Sequence, residues 1–448
     1  MRYINVFKAV LATLLMAGCQ TAFSIPPVVT PVKVDGKVTV SDEASLKAAL
    51  KDIVPGDVII WKNGTYENVA LKLIAEGSEQ APITLRAETP GGVVFTGVSS
   101  LQLRGNYLVA EGFAFKKLDT SVKNQILTAY KGSSHCRFSD ILIDGTGSKA
   151  SDIDTKWVNL YGQEHEVSHC SFIDKRNMGC LLVVWMEDGI VPRHIIRDNY
   201  FSRPYTHYDD AGKARNGQEA IRIGTSDFSL NPGDCLVEGN HFYRCNGERA
   251  EIISNKSCRN VYEGNLFEEG EGSLTLRHGN DCIVRGNYFY GGGKTEVGGV
   301  RIIGERHRVE DNVFLELTGS GYKSALCVVR GESKAALNGY WTVKGAVVKD
   351  NLFLDCRNGI TVNYSGRDSQ DTPPESVHFL GNTLVSSKSY MIAVQVIDTP
   401  QGNLTWEDNL IYGGTLKGVT LDKAAEKPQT KDYSQTLAAI REKAGKRW

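Results

Sequence analysis

The chain lacks a charge excess of either sign: 51 Lys and Arg stand against 52 Asp and Glu, a formal net charge of −1. A near-neutral chain has no bulk attraction to nucleic acid, so any polyanion has to be held by a local basic cleft. It also lacks a CxxC pair, although it carries ten cysteines at 19, 136, 170, 180, 235, 245, 258, 282, 327 and 356. That absence argues against a zinc site. Several cysteines sit in strand-like runs, such as His169-Cys170-Ser171-Phe172 and Asp281-Cys282-Ile283-Val284. Most are expected to be buried free thiols, even though an exported chain can form disulfides. Beyond the N-terminus no run approaches the ~20 apolar residues of a membrane span.

The N-terminal run Ala9–Ala17 follows Arg2 and Lys8 and precedes small residues, which reads as a secretory signal. Leu15-Met16-Ala17-Gly18-Cys19 has the form of a bacterial lipoprotein cleavage box, with Met16 where Leu is more usual. A lipid anchor on Cys19 and simple cleavage after Ser24 both stay open. Either way the mature chain is expected to be exported, periplasmic or anchored to the outer membrane of a Gram-negative-type bacterium. Residues 1–24 are then the signal, 25–425 one domain, and 426–448 a charged, helix-prone tail.

What is present is a repeat. A polar pair ending in Asn, one further residue, then an aromatic or aliphatic one, recurs eight times. It runs from Asp198-Asn199-Tyr200-Phe201 and Gly239-Asn240-His241-Phe242 to Asp408-Asn409-Leu410-Ile411. The Asn residues are spaced 41, 25, 22, 25, 39, 31 and 27 apart. A period of roughly 20–30 residues is the mark of a solenoid. Asn tolerates the left-handed conformation of a tight turn, and stacked Asn side chains hydrogen-bond from coil to coil. The sequence therefore predicts an all-β, right-handed parallel β-helix. Ser41 is expected to cap a short helix over Asp42–Asp52, covering the open end of the core before the strand Val58–Trp61. The long spacings place insertions near His207–Gly217 and Gly331–Trp341, which should wall a cleft.

Asn246 to Gly279 concentrates the chemistry. Glu251–Ser254 and Ser273–Arg277 alternate like short strands. Lys256 and Arg277 lie 21 residues apart, about one coil. Stacked coils repeat every ~4.8 Å, so the two side chains can meet over one ligand. Arg222 and Arg330 on neighbouring coils would add positive charge, and an elongated groove suits a chain-like acidic ligand. Tyr340 and Trp341, at the end of the second insertion, join the candidates for contacting it.

The stretches Asn216-Gly217-Gln218-Glu219, Glu251-Ile252-Ile253-Ser254-Asn255-Lys256-Ser257 and Leu276-Arg277-His278-Gly279 resemble the signature of polysaccharide lyase family 6, the group of alginate lyases and chondroitinase B. The resemblance runs from about Lys51 to Asn382. It implies β-elimination at a uronate, with alginate rich in mannuronate as first substrate and dermatan sulfate as the alternative. It also implies Lys256 as the base at C5, Arg277 as the acid at O4, and His278 as a binding or relay group. No dense arginine cluster marks the insertions, as a sulfated ligand would want. A non-catalytic polysaccharide-binding protein is the reading from another class. Nothing in the sequence fixes the oligomeric state.

Calcium-dependent members of that family resemble one another in an Asn and a Glu-x-Glu pair. Asn216 and Glu251 match, but Arg249 stands two before Glu251, and on a strand Glu248 would face away from it. The expectation is that no metal is needed and that Arg249 neutralises the substrate carboxylate. The alternative is a local bulge that turns Glu248 inward, making Asn216, Glu248 and Glu251 calcium ligands.

Overall fold

The computed structural model describes residues 31–448. The apolar run Ala9–Ala17, Cys19 and Ser24 lie outside the described residues. Strands visit three long sheets in rotation: one of fifteen strands from Lys33–Val34 to Leu404–Glu407, and two of thirteen, from Gly64–Glu67 to Leu410–Gly413 and from Ala70–Glu76 to Thr415–Lys417. The opening hairpin Lys33–Val34 with Lys37–Val40 is antiparallel; the coils that follow stack in parallel. This is the right-handed parallel β-helix expected from the repeat, the hand that parallel crossovers almost always take.

The repeat works as two ladders. Each ladder Asn donates its side-chain amide to the next one's oxygen, from Asn199 to Asn240 at 3.0 Å and from Asn265 to Asn287, Asn287 to Asn312 and Asn382 to Asn409 at 2.9 Å. Two residues on, the rings of Phe242, Phe267, Phe289, Phe314 and Phe353 stack 4.6 to 4.8 Å apart through the core. The left-handed conformation falls one residue earlier than expected, on Asp198, Gly239, Gly264, Gly286, Asp311, Asp350, Gly381 and Asp408. Gly and Asp tolerate that conformation best, and the Asn is left free to bridge coils.

The ends also follow local chemistry. Asp42, not Ser41, caps the first helix, Glu43–Ala49, because its carboxylate accepts from the Ser45 N–H in a capping box. Leu46 and Ala49 of that helix are buried over the first coils. The last helix, Ser434–Lys443, lies on the outside of the second sheet. It buries Leu437 against Leu266, Val313 and Leu315, and Arg441 pairs with Glu268 at 2.7 Å. The nine described cysteines are all free and buried. Among the described residues no helix is long and apolar enough to cross a membrane.

Candidate active site

The third sheet forms the floor of a cleft of about 680 Å³. Its strands there are Ile221–Gly224, Glu251–Lys256, Gly272–His278 and Val297–Ile302. Ile221, Ile223, Ile253, Leu274 and Leu276 point into the core. Alternation therefore turns Arg222, Ser254, Thr275 and Arg301, which lie in register, outward. Both insertions wall this floor as expected. Tyr208, Lys213 and Asn216 come from the first, Asn338 and Tyr340 from the second. The second insertion leans back along the coils until the Leu337 carbonyl accepts from Ser229 Oγ at 3.3 Å.

Lys256, Arg277 and His278 come together in the cleft. In register Lys256 faces His278, and Arg277 is the extra residue of a bulge. Lys256 follows the same edge as Gly224, whose φ is +86°. A Cβ at Gly224 would stand 2.6 Å from the Lys256 carbonyl, so glycine is what permits this close stacking. Among the described residues Lys256 has neither an ion-pair nor a hydrogen-bond partner. Arg277 is fixed instead: it donates to the carbonyls of Gly339 at 2.7 Å and Asn338 at 3.0 Å and stacks on Tyr340, 4.2 Å from the ring centre. Burial holds its guanidinium below the usual arginine range, with Arg301 and Arg367 adding to the effect. Burial, then Arg277 and Lys256, push His278 down to about 3, so its ring is neutral at ordinary pH. His278 Nε2 lies 3.4 Å from Ser226 Oγ.

The acidic residues depart from the expectation. Residues 247–250 form a turn, and the strand starts only at Glu251. The alternation that would send Glu248 away therefore does not apply. Arg249 takes a left-handed φ of +60° and Glu248 turns inward, where it accepts from the Gly217 N–H at 2.8 Å. Carboxylate oxygens of Glu219, Glu248 and Glu251 lie within 4.8 Å of one another. Burial first, then Glu219 and Glu251, push the Glu248 carboxyl well above its ordinary range. Arg249 does not stand over Glu251; it pairs with Glu271 and donates to Tyr208 Oη at 3.2 Å. The guanidinium on Glu251 is that of Arg301, with both side chains buried.

Three clustered carboxylates suit a hard cation in oxygen count. Glu248 thus stands where the calcium alternative places it, beside Glu251 with Asn216 lining the same cleft, but an arginine stands at 249 and Arg301 is paired with Glu251. Burial and the two neighbouring carboxylates favour the neutral form of Glu248.

Other expected residues fall outside the cleft. Arg330 donates to the Asp371 carbonyl at 3.1 Å and lies 3.6 Å from the Asp398 carboxylate. Trp341 donates to the Ala336 carbonyl at 3.0 Å, stapling its loop from behind. Arg222 stands on the third sheet N-terminal to the cleft lining, 5.3 Å from the Trp185 ring. Glu219 belongs to the signature stretch Asn216–Glu219 without a role assigned to it, and Glu271, Arg301, Lys323 and Arg367 are not among the sequence candidates. Arg301 had a legible signal: Val300-Arg301-Ile302 repeats the apolar-Arg-apolar form of Ile221-Arg222-Ile223.

Residues 40–421 match the protein family described as Chondroitinase B. The fold superposes on the family 6 alginate lyase AlyGC with a TM-score of 0.81 at 31% identity, over 91% of this chain and 56% of that one. The chain thus spans little more than half of AlyGC. A mannuronic acid specific family 6 lyase from the human gut microbiota gives 0.79 at 27% identity, over 92% of this chain and 96% of that one. A further family 6 alginate lyase, solved with a trisaccharide, shares the fold at 22% identity, with a TM-score of 0.76 over 90% of this chain and 91% of that one. No curated protein matches the chain. Its family match and its β-helix, with lysine, arginine and histidine gathered in one cleft, agree: this chain belongs to the chondroitinase B family, polysaccharide lyase family 6.

Proposed function

We propose that the chain is an alginate lyase that cleaves mannuronate-containing blocks by β-elimination. One observation carries this reading: Lys256, with no partner among the described residues, shares a cleft with an Arg277 held rigidly from behind. A cation that merely balanced charge would be paired.

Lys256, unprotonated, takes the C5 proton of the uronate. The electron pair of the broken C–H bond forms the C4–C5 double bond, and the C4–O4 bond breaks. Arg277 meets the negative charge developing on O4 and delivers the proton there, leaving a new hydroxyl end and an unsaturated uronate. The C5 proton is weakly acidic because it lies next to a carboxylate. Charge placed on that carboxylate stabilises the transition state most. Arg301 and Arg249, which both line the cleft with Asn216 and are each paired with a glutamate, are the proposed source of that charge. Neutral His278 hydrogen-bonds the substrate rather than carrying a proton.

The alginate preference rests on AlyGC and on the mannuronate-specific relative. The family description favours dermatan sulfate as second substrate. The test is ultraviolet absorbance of the unsaturated product, on each polymer, with and without chelator. Absorbance rising on alginate in chelator is expected. Absorbance only on dermatan sulfate would exchange the substrates. Binding without product, indifferent to Lys256→Ala, would make the protein a glycan binder.

A further inference from the structure

On the N-terminal side of the cleft the third sheet carries side chains that the chemistry at Lys256 does not explain. The parallel register carries one edge of the third sheet from coil to coil. Leu103, Ala129, Leu160, Val184 and Ile223 are successive partners, and Gly224 then faces Lys256. The residues one step on, Arg104, Tyr130, Tyr161 and Trp185, therefore form a single file with Lys256. Their backbone N–H groups continue the ladder: Tyr130 donates to Leu103, Tyr161 to Ala129 and Trp185 to Leu160. At ~4.8 Å per coil, Trp185 stands about 10 Å from Lys256 and Arg104 about 24 Å away.

These side chains form one surface. The Tyr161 and Trp185 rings are stacked, 5.7 Å between centres and 8° from parallel. Arg104 covers Tyr130 at 3.9 Å, Lys131 lies 5.5 Å from Tyr161, and Arg222 lies 5.3 Å from Trp185. Trp185 is pinned by its indole N–H to Asn159 Oδ1 at 2.9 Å. Tyr130 is 39% exposed. Arg222 has no hydrogen-bond or ion-pair partner among the described residues, and its Nε is buried without one. A cation left unanswered on a trough floor is a place for an anion. The nearby acid Glu187 is answered by Lys131 at 3.6 Å and by the Gly162 N–H at 3.0 Å.

The trough has a direction. The insertions at 207–217 and 331–341 precede Ile221–Gly224 and follow Leu326–Val329 of the third sheet, so the cleft between them runs along the coil axis. On the C-terminal side Tyr340 is sandwiched between Arg277 and Arg367, at 4.2 and 5.0 Å. The N-terminal side carries the aromatic file.

We propose that Trp185, Tyr161, Tyr130 and Arg104, with Arg222, bind the non-reacting length of the same acidic polysaccharide, which lies along the coil axis on the N-terminal side of Lys256. Flat rings offer the apolar faces of pyranose units a surface, and Arg222 and Arg104 pair with uronate carboxylates. The rise of one coil is close to the length of one sugar in an extended chain, so equivalent contacts repeat per coil. Binding energy from these remote units holds the scissile unit over Lys256. The inference rests on the lyase reading for its substrate, but its binding surface is separable from the chemistry.

The experiment compares wild type, Trp185→Ala, Tyr161→Ala and Trp185→Phe on mannuronate oligomers from trisaccharide to polymer. For the alanine variants KM on the polymer is expected to rise roughly tenfold, about 1.4 kcal/mol, with the effect shrinking towards the trisaccharide. Trp185→Phe, which keeps a ring, should recover most of it. A KM independent of these residues, or raised equally at every length, overturns the proposal and leaves the lyase reading standing. Retardation in alginate-containing native gels, with Lys256→Ala as background, reads binding without turnover. Retardation lost on adding Trp185→Ala supports the file even if wild type yields no product, and retardation unchanged counts against it.

Discussion

Lys256 lies in register with His278, and Arg277 bulges out between them to reach the carbonyls of Asn338 and Gly339. The strand alone would have turned Arg277 and His278 to opposite faces; the bulge lets both line one cleft. Lys256→Ala and Arg277→Ala are expected to lower kcat by roughly 10²–10⁴, the range for one proton-transfer group. Melting temperatures should stay within a few degrees of wild type, because neither side chain is part of the core. Loss of activity accompanied by unfolding would remove the catalytic interpretation.

His278 is held neutral, pushed down to about 3 by burial and then by Arg277 and Lys256. It gains no proton between pH 8 and 5, so it gives kcat/KM no acid limb there. His278→Gln should therefore lower activity by a constant factor across that range. If the variant moves the limb by about a pH unit, the ring titrates and the assignment fails.

The Glu219, Glu248 and Glu251 cluster makes a charge prediction. With Arg301 on Glu251 and the neutral form of Glu248 favoured, chelator is expected to leave the rate within about twofold. Arg301→Ala should cost roughly 10²-fold, the scale of one electrostatic stabiliser. A stoichiometric bound calcium lost in Glu248→Gln would instead assign the cluster to a cation.

Asn287 is bonded to the coil on either side of it in the ladder. Its oxygen accepts the Asn265 N–H at 3.0 Å and the Asn265 amide at 2.9 Å, and its own amide donates to Tyr262 and Asn312 at 2.9 Å. Asn287→Ala leaves buried groups unpaired, at ~1–3 kcal/mol each. Destabilisation of at least about 3 kcal/mol is expected from denaturant titration. A loss below about 1 kcal/mol would show that neighbouring coils reclose the gap.

Acid should unfold the β-helix through buried histidines. Burial pushes His165 and His307 down to about 4 from 6.5. His307 Nδ1 accepts the Cys282 N–H at 3.2 Å and its Nε2 lies 3.0 Å from the Ile303 carbonyl, so a second ring proton has no acceptor. The unfolded chain binds more protons than the native one between these values. Stability contributed by the neutral rings is thus whole above pH ~6.5 and is lost as pH falls towards 4, by roughly 3 kcal/mol per ring. Two coils earlier Asn260 fills the equivalent place, accepting the Cys235 N–H at 3.0 Å. His307→Asn should therefore flatten the fall in melting temperature between pH 7 and 4; an unchanged slope would point to other groups.

The repeat was enough to determine the β-helix, because Asn and Phe at fixed offsets act only on the coil above and the coil below. Lys256 and Arg277 were legible for the same reason: one coil of sequence is one step in space. Locally encoded ends were read nearly correctly, with the cap shifted by one residue to the carboxylate that reaches the Ser45 N–H.

Tertiary structure decided what depends on departures from the period. The turn at 247–250 brought Glu248 to Glu219 and Glu251, where strict alternation would have sent it away. Arg301 reaches Glu251 across 50 residues, and Arg249 turns to Glu271 instead. Arg330 and Trp341 were carried out of the cleft by the path of their loops. Counting residues along a chain gives register within coils; it cannot give the direction of a side chain once a bulge or an insertion resets the count.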